Sequence, residues 1–281
     1  MGGTYGLVDG FSYGWATPVA GYLMACLGAG LGLRCITRAL AMDPARRVGW
    51  LALGAAAIGS GIWTMHFIGM MGFSVGGVPI SYDMATTVAS LLVAVLVVGI
   101  GVFAVGYLGR TVPAVLAGGV VMGLGIAGMH YLGMRGMRLH ADLVYSTPTV
   151  ALAVGVAVFA ATIALWCAVA VRGLYGGLGA SLILGLAMSC MHYIGMASVT
   201  VHLLNGVREG TGGAGPAAAL APILIGPVVF LLLAGVVVAL DPPAPAPYTP
   251  DRFTEEGPVR AGRASRAAHA SRVGERPGER H

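Results

Sequence analysis

Met65-His66-Phe67-Ile68-Gly69-Met70, Met129-His130-Tyr131-Leu132-Gly133-Met134 and Met191-His192-Tyr193-Ile194-Gly195-Met196 are three copies of one pattern, their first residues 64 and 62 residues apart. That period accommodates two helices long enough to cross about 30 Å of hydrocarbon, so each copy is read as part of the second helix of a hairpin. The likeness extends upstream: Gly59, Gly123 and Gly185 stand six residues before the first Met, and Gly61, Gly125 and Ala187 four before. At about 100° per residue, the small residues, the His and the second Met share one side of each helix. Phe67 and Ile68, with Tyr131/Leu132 and Tyr193/Ile194, are expected on the opposite, bulky apolar face.

A chain of 281 residues with 57% hydrophobic residues, 10% charged residues and a mean hydropathy of +0.84 belongs in lipid rather than water. Seven apolar runs are long enough to span: about Trp15–Leu33, Val48–Met71, Met84–Leu108, Val112–Met134, Val150–Val171, Leu174–Val199 and Ala218–Leu240. The expected fold is an all-α membrane bundle of seven transmembrane helices: three parallel two-helix repeats plus one additional C-terminal helix, with a pseudo-threefold axis along the membrane normal. The 46 glycines suit close helix packing in lipid. Asp43-Pro44 reads as an N-cap and first-turn proline of the second helix. Two domains are expected: residues 1–240 as the membrane domain and 241–281, Pro/Arg-rich, as a disordered cytoplasmic tail too short for an enzymatic output domain. Residues 1–14 lack the basic segment of a cleavable signal peptide, which leaves the first span as the insertion signal.

Arginine sets the orientation, since there is no lysine. Arg34, Arg38, Arg46, Arg47, Arg110 and Arg172 fall on one side together with seven in the tail, against Arg135, Arg138 and Arg208 on the other. The richer side is taken as cytoplasmic, which puts the N-terminus outside, the C-terminus inside and the motifs near the outer face of a multi-pass inner-membrane protein.

Histidine inside a bilayer marks a functional site by default, and three at equivalent depth outweigh three separate packing accidents. With Met at −1 and +4, the candidate metal ligands are Met65, His66, Met70, Met129, His130, Met134, Met191, His192 and Met196. Thioether with imidazole suits copper, Cu(I) above all; zinc would take the imidazoles but gain little from Met. Haem is the alternative cofactor, though no attachment motif is present. Met24, Met122 and Met188 read as packing residues, while Met71 and Met137 continue the outer Met cluster. His140 and His202 are loop histidines. Asp83 either orients a ligand imidazole or caps a helix. The four cysteines form no framework, and Cys190 points away from the motif face. No Asp or Glu falls inside a span, no nucleotide-binding loop or catalytic triad pattern is present, and the protein is expected not to be an enzyme.

Three Met-His-Tyr/Phe motifs on alternate spans of a seven-span bundle resemble the MHYT domain family of bacterial integral membrane sensors, over residues 10–240. Residues Gly61 to Met70 carry the most specific segment. The resemblance implies a sensor of oxygen, carbon monoxide or nitric oxide through bound copper, with Met65, His66, Met129, His130, Met191 and His192 as ligands and Tyr131 and Tyr193 in the aromatic position. Phe67 departs from it, so a tyrosine hydroxyl cannot serve all three repeats. Family members are often joined to cyclic-di-GMP or kinase output domains.

The function expected is an integral membrane sensor that binds copper near the outer face and responds to a diatomic gas or to redox state. Its partners would be the lipid bilayer, the gas ligand and a separate signalling protein on the cytoplasmic side, without nucleic acid. Copper transport or handling, and a ligand-free membrane scaffold, are the alternatives. A copper path would need soft ligands in the inner half of the bundle.

Overall fold

The computed structural model describes residues 8–76, 78–139, 141–171, 173–203 and 216–241. Arg172, His140, Arg208 and the segment from Pro242 onward lie outside the described residues. Among the described residues seven helices are formed: α1 (Ala16–Leu40), α2 (Pro44–Met71), α3 (Met84–Leu108), α4 (Val112–Arg135), α5 (Thr147–Ala170), α6 (Gly173–Ala197) and α7 (Pro216–Leu240). Each is 24–28 residues, enough to cross a bilayer with allowance for tilt.

Local chemistry sets the helix ends. Pro44 opens α2, but the Asp43 side chain makes no capping hydrogen bond, so only the proline half of the expected start signal operates. Asp83 does cap α3, its carboxylate accepting from Thr86 N at 2.8 Å. Gly109, at φ +86°, makes the turn from α3 to α4, and Gly173, at φ +76°, the start of α6; a residue with a Cβ would be strained at either.

Six short strands, absent from the sequence reading, flank the helices: β1 (Val8–Asp9), β2 (Ser74–Val75), β3 (Ser81–Tyr82), β4 (Met137–Arg138), β5 (Ala141–Tyr145) and β6 (Val199–Leu203). They pair antiparallel as β1–β2, β3–β4 and β5–β6, the last in the register Leu143↔Val201. Each repeat is therefore strand–helix–helix–strand, and the three strand pairs sit at the motif end. Val199 belongs to β6 rather than to the sixth span, which ends at Ala197. The first span runs on to Leu40, past Arg34 and Arg38.

Neighbouring helices pack in sequence order, and α1 also packs on α6, so the first six helices close into a ring. The glycine six residues before each motif makes the seams between repeats. A Cβ on Gly59 would lie 2.9 Å from the Val95 backbone of α3; one on Gly123 would strike Val158 of α5, and one on Gly185 would strike Cys26 of α1. Within the first repeat, Gly28 and Gly61 bring α1 and α2 together, a Cβ on Gly28 falling 2.7 Å from Gly61 Cα. Helix α7 lies outside the ring against α2 and α1. At the end opposite the motifs, Arg38 Nε lies 2.8 Å from Asp241 Oδ2 and Nη2 donates to Oδ1 at 3.2 Å, which ties α1 to the last turn of α7.

Candidate metal centre

The motif helices α2, α4 and α6 converge at their histidines. His66 Nδ1 lies 3.0 Å from His192 Nδ1 and 3.1 Å from His130 Nδ1. The rings stand edge to face in all three pairings, with centroids 4.8, 5.0 and 5.3 Å apart. Each histidine is at most 1% exposed. The three offer one ligand nitrogen apiece within 4.8 Å of the others, the one such cluster of His, Cys, Asp or Glu among the described residues.

Glycine explains how three rings fit. A Cβ on Gly69 would strike His192 Nε2, one on Gly195 would strike His130 Nε2, and one on Gly133 would lie 2.5 Å from His66 Nε2. Each imidazole thus crosses to the next motif helix and rests its Nε2 edge where that helix has no side chain. The relation is cyclic, α2 to α4 to α6 and back to α2. A helical wheel places these glycines beside their own histidine, but it cannot show that they accommodate a different one.

The polar accounting of the cluster does not close within the protein. All three Nε2 atoms are buried without a hydrogen-bond partner among the described residues. His66 Nδ1 faces two nitrogens with either one proton or one lone pair, so no neutral tautomer gives two good hydrogen bonds. A cation accepting three Nδ1 lone pairs, with the ring protons on Nε2, removes that conflict. Two nitrogens 2.0–2.1 Å from one ion at a tetrahedral angle are about 3.3 Å apart. The separations of 3.0 and 3.1 Å fall within a few tenths of an ångström of that value. For these two pairs the spacing fits a small imidazole-bound metal ion, and the three ligand nitrogens all lie within 4.8 Å of one another.

The motif methionines lie on the same helices as the histidines and are mostly buried. Met65, Met70, Met129, Met134 and Met191 are buried and Met196 is half-buried. Met65 turns toward α1, its Cγ 3.4 Å from where a Cβ of Gly21 would sit. Met122 and Met188 are buried packing residues, and Cys190 is exposed, away from the site. Asp83 is occupied as a helix cap: besides Thr86 N it accepts from Thr86 Oγ1 at 2.7 Å, and it pairs with Arg138 at 3.6 Å. Of the two roles weighed for it, the cap is the one formed, and those Thr86 hydrogen bonds hold its carboxyl below the usual range. His202 stands in β6 opposite Asp142.

The motif aromatics correct the sequence reading. They do not occupy a face remote from the histidines; each stacks edge-on against its own motif His, at 4.7 Å for Phe67 and 4.9 Å for both Tyr131 and Tyr193. Phe67 is fully buried because α2 is enclosed by neighbours, so its bulky face meets protein. A second aromatic tier follows. Phe67 meets Tyr82, Tyr131 meets Tyr145, and Tyr193 stacks on Phe11, at 6.2, 5.8 and 5.6 Å. The outer members precede α3, α5 and α1, the first helix of the next repeat in each case. Tyr82 and Tyr145 each stand two residues before their helix, a repeat signal present in the sequence itself. The hydroxyls of Tyr82 and Tyr131 are buried without a partner among the described residues, and burial pushes the pKa of the Tyr82 and Tyr145 phenols up, so both stay protonated.

Comparison with known proteins agrees with the repeat. The family MHYT, described as a bacterial signalling protein N terminal repeat, matches residues 59–118 and 123–180. Both matches begin at the seam glycine, Gly59 and Gly123; the third copy, from Gly185, lies beyond them. The bifunctional diguanylate cyclase/cyclic di-GMP phosphodiesterase MucR of Pseudomonas aeruginosa is 33% identical over 239 residues, 82% of this chain and 33% of that protein. The cyclic di-GMP phosphodiesterase NbdA of the same organism is 32% identical over 211 residues, 68% of this chain and 27% of that protein. A signaling protein of Caulobacter vibrioides is 36% identical over 157 residues, 55% of this chain and 19% of that protein. The chain spans a third or less of the length of these curated relatives. No solved structure matches.

Proposed function

The chain belongs to the MHYT family of bacterial membrane sensor domains, and on that premise we propose that it binds copper through His66, His130 and His192 and senses a diatomic gas or redox state. The observation that carries the reading is the convergence of three buried Nδ1 atoms whose hydrogen bonding the protein alone does not satisfy. Imidazole suits zinc, copper, iron and nickel alike; thioethers at the motif methionines, Met65 aside, would tilt the choice toward copper. When bound, copper would supply a redox-active centre able to take a small apolar ligand. The protein's own part is to hold the imidazoles in register through Gly69, Gly133 and Gly195 and to exclude water by burial. Arginine asymmetry supports placing this end at the outer face, with the cytoplasmic end carrying the output. The relatives' names point to cyclic-di-GMP turnover as the class of that output.

A sensor is favoured over a copper conduit by what lies below the histidines. One and two turns inward, Ile62, Ile126 and Met188, then Ile58, Met122 and Leu184, surround a small cavity lined by apolar side chains. Two thioethers are the soft ligands in that layer, and no carboxylate or imidazole lines it. A desolvated ion would pay several kcal/mol to cross it.

The test is metal content and absorption spectrum of the purified protein, produced with copper, beside the His66→Ala/His130→Ala/His192→Ala variant. Copper near one per chain, lost in the triple variant while the helices remain, supports the reading. Wild-type protein without copper, or a triple variant with wild-type content, sinks it.

A further inference from the structure

At the end of the bundle opposite the histidines, the three seams between repeats are unequal. The α2–α3 seam is filled: Leu51 packs against Gly106, and the Arg47 guanidinium donates to the carbonyls of Met42 at 2.9 Å and Gly106 at 3.1 Å. The α6–α1 seam is not. A Cβ on Gly177 would meet nothing within 4 Å, and one on Gly30 would meet only Ser181. A cavity of about 450 Å³ results, lined by Leu27, Leu31, Leu174 and Leu178 among others, with Arg34 at its rim. Toward the histidines it is closed where Tyr22 donates to the Leu182 carbonyl at 3.3 Å and Cys26 packs on Gly185.

Arg34 is exposed and its side chain makes no hydrogen bond or ion pair among the described residues. The α4–α5 seam repeats the arrangement. Its cleft of about 460 Å³, lined by Leu116, Ile163 and Trp166, has Arg110 at the rim, likewise exposed and unpaired. Where the arginine folds back on backbone carbonyls the seam is closed; in these two, where it has no partner among the described residues, the seam is open.

We propose that the α6–α1 seam binds an anionic phospholipid, with an acyl chain in the cleft and the headgroup phosphate on Arg34. The cleft lies between membrane-spanning segments, so its natural occupant arrives from the bilayer. Its volume falls in the range of sites that enclose small ligands. A free guanidinium matches phosphate oxygens bidentately, and basic pockets between transmembrane helices hold anionic headgroups. Among the described residues no acidic side chain lines the cleft to oppose the charge. The occupant would wedge the joint between the first and third repeats, the place where the ring closes.

The experiment uses the full chain in neutral detergent, carrying Arg110→Gln so that one cleft is read. Phosphatidylglycerol, phosphatidylcholine of the same acyl chains and inorganic phosphate are added separately, and retention is followed by native mass spectrometry with thermal unfolding in parallel. Phosphatidylglycerol should be retained and stabilising, phosphatidylcholine less so and inorganic phosphate not at all. Arg34→Gln should weaken phosphatidylglycerol about fivefold and phosphatidylcholine by less, because the choline cation already offsets the phosphate of the latter. Gly177→Leu should displace both lipids while leaving lipid-free unfolding unchanged. Equal binding of the two lipids, an Arg34→Gln variant with wild-type affinity, or displacement by inorganic phosphate overturns the proposal.

Discussion

Gly133→Ala adds one carbon, and the structure says where that carbon goes. The new Cβ would lie 2.5 Å from His66 Nε2, 3.0 Å from Cδ2 of the same ring and 3.3 Å from Phe67 Cζ. Relief to an ordinary contact of about 3.4 Å requires the His66 ring to shift by roughly 1 Å. The ring has little room to do so, being 1% exposed, edge-on to Phe67 and in contact with two other imidazoles. Overpacking of this kind costs about 1–3 kcal/mol, offset by up to about 1 kcal/mol from replacing glycine by alanine in a helix. The net loss of stability should therefore be about 0–3 kcal/mol, and the variant should fold. Its site should not survive, because a ligand nitrogen displaced by about 1 Å lies well outside the ~0.2 Å tolerance of metal coordination. Gly128→Ala in the same helix is the control, since its Cβ would meet nothing within 4 Å. Metal content after dialysis and imidazole ¹⁵N chemical shifts, measured for both variants and wild type, provide the assay. Gly133→Ala should lose metal and shift the His66 resonances, while Gly128→Ala should match wild type. A Gly133→Ala protein with wild-type metal content and unshifted His66 signals would refute the glycine cradle.

Asp83→Asn should lower the unfolding temperature at neutral pH. The folded-state carboxyl is held below its ordinary value by Thr86, so the stabilisation is present above the unfolded value near ~3.9 and fades as pH falls through the folded one. Thermal unfolding curves of variant and wild type should therefore converge at strongly acidic pH, and a gap that persists there contradicts the assignment. Arg38→Ala and Asp241→Asn should each destabilise by about 1 kcal/mol, and the double variant by less than their sum, because the two side chains form one half-buried pair. Strict additivity in denaturant unfolding would show that the pair is not coupled. A reporter fused after Leu240 should be active only as a cytoplasmic reporter, and activity outside would reverse the orientation inferred from arginine.

Hydropathy alone determined the seven spans, because lipid leaves the backbone no partner but its own helix and every crossing segment must be long and apolar. The 64- and 62-residue spacing likewise determined that three histidines share one depth, since a two-helix hairpin returns the chain to the same side. That Gly59 and His66 share one side of their helix and that Cys190 points away from it followed from the helical period, which is a property of one helix at a time. What that period could not supply is which helix lies opposite. Pairing Gly133 with His66 rather than with His130, resting Phe67 against its own histidine and against Tyr82, and closing α1 on α6 all depend on side chains from elements far apart in the chain. The strands leave little trace in the sequence because two to five residues are too few for a period of two to stand out beside an apolar run, as Val199 beside the sixth span illustrates. Which ring nitrogen faces the centre was decided only by tertiary packing: Nδ1 turns inward because the neighbouring glycine leaves room for Nε2 and for nothing larger.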